Sequence, residues 1–134
     1  MAYFKGTLDV FLNTNNCLEG IIVTNRVANI SQAQFEDLPF PGELGKTAGQ
    51  VAQIKEGRAE FWRGDESNMP RVAPYPFDRE EVIYVIEGAV DIEFESGEKY
   101  SLKAGDVGAF AQGTPATWTF TFPFAKLSVF PDEA

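Results

Sequence analysis

A chain of 134 residues, 44% of them hydrophobic and with no low-complexity tract, has the size and composition of one globular domain able to bury a sizeable core. Its net charge of −9 argues against nucleic acid and anionic membranes as general partners, because both are bound through basic surfaces. No apolar run approaches the roughly 18 residues of a membrane-spanning helix, and the opening MAYFKGTLDV alternates instead of forming a signal-peptide core, so a cytoplasmic location is expected.

In chain order, Tyr3 to Leu12 alternates loosely, with Leu8, Val10 and Leu12 on one parity. Asn13 to Asn16 reads as a turn and Gly20 to Val27 as a second strand. The two form an expected N-terminal β-hairpin extension over residues 1–29, which needs a sheet to join because a lone hairpin is marginal in water. Cys17, the only cysteine, can form no disulfide within the chain, and its neighbours supply no base or cation to activate it. Ser31 to Leu38 is predicted as a helix, with Ser31 as its N-cap and Phe35 and Leu38 one turn apart. Phe40-Pro41-Gly42 closes that segment as a loop. Gly45-Lys46-Thr47 resembles the end of a phosphate-binding loop, but Phe40 stands where that motif needs glycine, and the residues after Thr47 read as strand.

Gln50 to Ile54 and Arg58 to Trp62 read as two strands, Arg63 to Arg71 as a loop. Pro74 and Pro76 make Ala73 to Phe77 an extended, stiff approach to Glu81. Glu81 to Ile86 is a short apolar run closed by Glu87-Gly88. Apolar side chains then alternate through Val90, Ile92 and Phe94, with Asp91, Glu93 and Glu95 on the other parity. Lys99 to Leu102 is a further strand between Gly-containing turns. The alternation resumes at Ala116, Trp118 and Phe120, and Phe124 to Phe130 is the last strand. Closely spaced short antiparallel strands punctuated by glycine give an all-β sandwich or small barrel.

Three features of this stretch resemble the cupin superfamily, and within it the small single-domain cupin_3 group related to ureidoglycine aminohydrolase. Glu81-Val82-Ile83-Tyr84-Val85-Ile86-Glu87-Gly88 resembles the first cupin motif, a Glu before an apolar strand ending in Gly. Gly105-Asp106 followed by Ala111-Gln112-Gly113 resembles the second, with Ala111 in place of the usual Pro. Thr117-Trp118, then Lys126, is similar to the subgroup's ending, as is Phe61-Trp62 with Gly64. The likeness covers roughly Ile30 to Phe130. It implies a jelly-roll barrel, the double-stranded β-helix of the cupins, as a domain over residues 30–134.

Metal-binding members of that superfamily bring two histidines from the first motif and one from the second, together with the Glu. This chain contains no histidine. Pro74 to Phe77 stand where the first two belong, and Ala116 where the third does. Glu81 alone cannot define the several-ligand shell of a tightly held transition metal. The expectation is therefore no metal and no cofactor. The missing histidines also exclude serine–histidine hydrolysis and histidine-based epimerisation.

Strand parity puts Glu81, Ile83 and Val85 on one face, which the resemblance turns into the barrel. The same resemblance turns Ala116, Trp118 and Phe120 inward, with Lys126. An interior holding Glu81, Trp118, Lys126, Tyr75 and Trp62 is an aromatic pocket with one acid and one base, the kind of concave site that takes a small ligand. Glu81 is the candidate general acid/base and Lys126 the candidate anion binder. Trp118, Tyr75, Trp62 and Ala116 are the candidate ligand contacts. The same residues equally describe a fixed Glu81–Lys126 ion pair with Trp118 as core filler. Two functions are consistent with this: a metal-independent enzyme on a small nitrogen-containing carboxylate or sugar acid, or a non-catalytic module, either sensing a small ligand or serving as a structural dimeric cupin. Tyr84 and Ile86 are apolar on the outward parity, which predicts a covering partner and hence a homodimer.

Overall fold

In the computed structural model, residues 27–54, 56–113 and 115–132 are described. The expected N-terminal hairpin and Cys17 lie outside the described residues. The described chain is nearly all β: β1 (Glu36–Asp37), β2 (Lys46–Ile54), β3 (Gly57–Gly64), β4 (Val72–Pro74), β5 (Glu81–Phe94), β6 (Lys99–Lys103), β7 (Val107–Phe110) and β8 (Ala116–Phe130). All pairings are antiparallel, in the order β1-β2-β3-β8-β5-β6, with β4 added to β8 and β7 to β5. This is the jelly-roll barrel expected from the sequence. Among the described residues no helix is long and apolar enough to cross a membrane.

The helix predicted over Ser31 to Leu38 does not form. One 3-10 turn, Ile30–Gln32, stands in its place, capped by the Asn29 side chain, which accepts from the Ser31 N–H at 2.9 Å. Eight residues with two apolar side chains on one face cannot offset the cost of helix nucleation. Pairing offers more: Glu36 and Asp37 lie opposite Thr47 and Lys46, and Lys46 Nζ donates to Asp37 at 2.8 Å. Phe35 packs under the Arg63 guanidinium, 4.0 Å from the ring centroid. Lys46 and Thr47 are strand, as the sequence indicated for the false phosphate-loop motif.

Two strands are longer than their sequence signal. Glu81 to Ile86 and Val90 to Phe94 are one strand, β5, whose inward residues are odd-numbered before Gly88 (Glu81, Ile83, Val85) and even-numbered after it (Val90, Ile92). Register shifts between Val85 and Glu87 and between Glu87 and Ala89 absorb the change of parity. A bulge of this kind swaps the buried face without ending the ladder. Gly88 makes it possible: its φ is +77°, and a Cβ there would collide with the carbonyls of Thr121 and Pro123 on β8. Likewise Ala116 to Phe130 is continuous, with even-numbered residues inward along most of its length.

The two long strands β5 and β8 run side by side through the middle of the sheet and supply most of the core. Ile83, Val85, Val90, Ile92, Trp118, Phe120 and Phe124 are all at most 3% exposed. Phe77, from the proline-stiffened approach to β5, plugs one end, with its ring 4.9 Å from Phe110 and 5.7 Å from Phe94. Each such side chain contributes about 1.5–3 kcal/mol by leaving water. The other half of the barrel is not apolar throughout, and there the candidate site lies.

A charged network behind an aromatic cavity

Glu81 is the first residue of β5, and Lys126 and Ser128 occupy successive inward positions of β8. The register sets Val85 opposite Lys126 and Ile83 opposite Ser128, so the two polar β8 side chains stand on the interior face that Glu81 shares. All three are buried, at 1%, 5% and 0% exposed. Their polar atoms meet at hydrogen-bond distance. Lys126 Nζ donates to Glu81 Oε2 at 2.7 Å and to Ser128 Oγ at 2.5 Å, and Ser128 Oγ donates to the same Oε2 at 2.7 Å. The second carboxylate oxygen accepts from Tyr75 Oη at 2.6 Å. Tyr75 is held in reach because its own N–H is bonded to the Ala116 carbonyl at 2.8 Å and prolines flank it.

The network fixes the charges. Burial by itself pushes the Glu81 carboxyl up, but the Lys126 ammonium and the hydrogen bonds from Lys126, Ser128 and Tyr75 outweigh it and hold the group below 4.5. Glu81 is therefore ionised at neutral pH. Tyr75 moves the other way: burial, the Glu81 charge and the bond it donates to Glu81 all keep the phenol protonated well above its usual range. A lysine ammonium has three protons. Two are used within the network.

Lys126 also forms part of the wall of a cavity of about 540 Å³. Its Nζ lies 5.5 Å from the Trp62 ring centroid, 5.5 Å from that of Trp118 and 5.7 Å from that of Tyr75. Three π-faces around one ammonium are a favourable setting for the charge. Trp62 is tied down at the rim, its Nε1 donating to the Leu44 carbonyl at 3.0 Å. Trp118 is fully buried and packs on Tyr75, ring to ring at 4.6 Å. At another point of the wall the guanidinium of Arg79 lies 4.6 Å over the Phe130 ring. A groove of similar size, about 580 Å³, runs along β6 and β7, but its lining contains no basic residue and none of the buried charges. The barrel cavity is the candidate site.

Of the residues expected at the site, Glu81, Lys126, Tyr75, Trp62 and Trp118 are brought together here. Ala116 does not line the cavity, although Trp118 two residues on does: it is buried opposite Phe94 at the start of β8. Glu81 itself stands behind Lys126 and is likewise not part of that wall. Ser128 and Arg79 were not singled out by the sequence reading. The signal for Ser128 was available, since a polar residue two positions from Lys126 shares its inward parity. Arg79 sits in a run of charges, Asp78 to Glu81, that reads as a solvated turn.

The residues at this position do not fit the metal ion that the resemblance would bring. Both oxygens of Glu81 are taken by three donors, and a fixed ammonium stands 2.7 Å from one of them, where a divalent cation would meet a like charge. No cluster of three or more His, Cys, Asp or Glu side chains suited to a metal occurs among the described residues.

Comparison with known proteins bears on the fold. The EutQ-like cupin domain (Cupin_3) family model matches residues 62–127, a segment that contains Trp62, Tyr75, Glu81, Trp118 and Lys126. No curated protein matches the sequence significantly. Among solved structures, KdgF from Halomonas sp. is 24% identical, with 82% of this chain and 96% of that chain covered at a TM-score of 0.60. The polyketide cyclase RemF from Streptomyces resistomycificus is 17% identical, with 82% and 81% covered at a TM-score of 0.63. An ethanolamine utilization protein Q from Salmonella typhimurium is 25% identical over 58% of this chain at a TM-score of 0.49; this chain spans 60% of that protein. The chain thus has a cupin fold, and its residues 62–127 match the EutQ-like cupin domain.

Proposed function

We propose that this protein binds a small organic carboxylate in the barrel cavity, with the Lys126 ammonium as the anion contact. One observation carries the reading: a lysine whose Nζ bonds Glu81 and Ser128 forms part of the wall of an aromatic cavity of about 540 Å³. In a low-dielectric wall a fixed positive charge attracts an anion far more strongly than it does in water. The apolar rings of Trp62, Tyr75 and Trp118 suit the ligand's carbon skeleton. Glu81 acts here as a positioning residue. Its three donors and its place behind Lys126 support that role over proton transfer to a substrate. The metal-independent enzyme using Glu81 as acid/base is the less supported reading.

Titration calorimetry with a set of carboxylates and their matched primary amides tests the proposal. Carboxylates should bind at least about tenfold tighter than their amides in the wild type, a difference of about 1.4 kcal/mol, and Lys126→Met should abolish the preference. Equal binding of acid and amide, or an unchanged preference in the variant, would count against it.

A further inference from the structure

Two residues of the cavity wall carry buried hydrogen-bond donors that no described residue satisfies. Among the described residues two buried side-chain polar atoms lack a partner, Trp118 Nε1 and Arg79 Nε, and both belong to residues of this one wall. Buried donors are nearly always paired, so two on one cavity mark where an acceptor is expected. The contrast with Trp62 is direct, since that indole N–H is bonded to the Leu44 carbonyl. Trp118 is 2% exposed, so bulk water does not serve it. Arg79 lies at the Phe130 end of the wall, whereas the Trp118 ring centroid is 5.5 Å from Lys126 Nζ.

Resting on the carboxylate reading above, we infer that the ligand is a 2-oxo or 2-hydroxy acid, with its carboxylate on Lys126 and its C2 oxygen accepting from Trp118 Nε1–H. With the Trp118 ring centroid 5.5 Å from Lys126 Nζ, two oxygens on adjacent carbons are the closest-spaced pair of acceptors that one small acid can offer to these two residues. The class also rests on the chemistry of the unpaired donor. The ammonium at C2 of an amino acid has no lone pair and cannot accept from the Trp118 indole N–H, whereas a carbonyl or hydroxyl oxygen there can. A site built to hydrogen-bond a substrate oxygen discriminates strongly against the analogue without it, because the donor is then left unpaired.

The test compares acids that differ only at C2: pyruvate, lactate and propionate, and the larger phenylpyruvate, 3-phenyllactate and 3-phenylpropionate. Within the series that binds, the oxygenated acids should bind about tenfold or more tighter than the deoxy acid. Trp118→Phe keeps an aromatic ring and should bring the three acids to within about twofold. The wild type gives a readout that does not depend on the variant folding. The chain has two tryptophans, so the nitrogen-15 spectrum has two indole N–H signals, and one should move with the hydroxy acid and stay with the deoxy acid. Deoxy and oxygenated acids binding alike, or discrimination surviving in Trp118→Phe, would overturn the inference and leave carboxylate binding standing. No acid of either series binding would overturn both.

Discussion

Lys126→Met is the sharpest probe of the network. Methionine fills similar space but removes the ammonium and leaves an ionised Glu81 inside the barrel with two neutral hydroxyl donors, Tyr75 and Ser128. Deleting one partner of a buried pair costs about 3–5 kcal/mol. The two remaining hydrogen bonds put the expected loss near the lower end, about 3 kcal/mol at neutral pH. The dependence on pH should change sign. In the wild type the carboxyl is held below 4.5, so its contribution is fully present above that value and is lost as pH falls through the folded value. In Lys126→Met, burial is opposed only by neutral donors, so the folded-state group rises above 4.5. The variant then loses stability as pH rises through the window between the two values and regains it in acid. Urea unfolding from about pH 4 to pH 8 reads both terms. The gap between wild type and variant should narrow steadily toward acid. A pH-independent gap, or one below about 1 kcal/mol at neutral pH, would refute the picture of a buried pair held by mutual charge.

Two further perturbations arise from the same geometry. Tyr75→Phe removes the donor to Glu81 Oε1 and should cost about 1–3 kcal/mol; since the folded phenol is raised, its stabilising contribution holds below about pH 10 and fades above it, so the cost of the substitution should shrink in alkali. An unchanged melting temperature at neutral pH would argue against the bond. On the outer face, Tyr84 and Val107 pair across β5 and β7 with 42% and 63% exposure, and we propose that this face packs on a second copy of the chain. Tyr84→Glu should then lower the mass seen by sedimentation velocity at fixed concentration; a monomeric wild type would end that idea.

The barrel was readable because its signals are local. Alternation through Val90, Ile92 and Phe94, glycine turns and the run from Glu81 to Gly88 each need only neighbouring residues to be interpreted. What failed needed information from across the sheet. Ser31 to Leu38 has helical spacing, but Glu36 and Asp37 find partners in Lys46 and Thr47, and tertiary pairing overrides a weak propensity. The union of Glu81–Ile86 with Val90–Phe94 depends on Gly88 passing the Thr121 and Pro123 carbonyls, a contact the sequence does not display. At the site, parity was enough to bring Glu81, Trp118 and Lys126 together. It could not say that Glu81 stands behind Lys126, because depth in a barrel depends on where along the axis each strand is cut. Ala116 shares the inward parity of Trp118 and Phe120, yet those two line the cavity and Ala116, buried opposite Phe94, does not.

The network is hard to explain as a stability device. Removing two charges from water is costly, and buried ion pairs can often be exchanged for apolar side chains without loss. The rest of this interior uses that apolar alternative: Ile83, Val85, Phe120 and Phe124 fill adjoining inward positions with carbon alone. Four polar side chains converging in such a core therefore mark a requirement other than packing. The geometry indicates which one. Glu81 accepts three hydrogen bonds, from Tyr75, Ser128 and Lys126, and has a donor at each oxygen, whereas Lys126 uses two of its three protons within the network and, with Tyr75, lines the cavity. Both oxygens of Glu81 have donors, while on the cavity side Trp118 packs its ring on Tyr75, Phe77 and Phe120 and, among the described residues, finds no partner for its N–H. The carboxylate binding proposed above would use this arrangement: a lysine tied to Glu81 and Ser128 on one side and forming part of the cavity wall on the other.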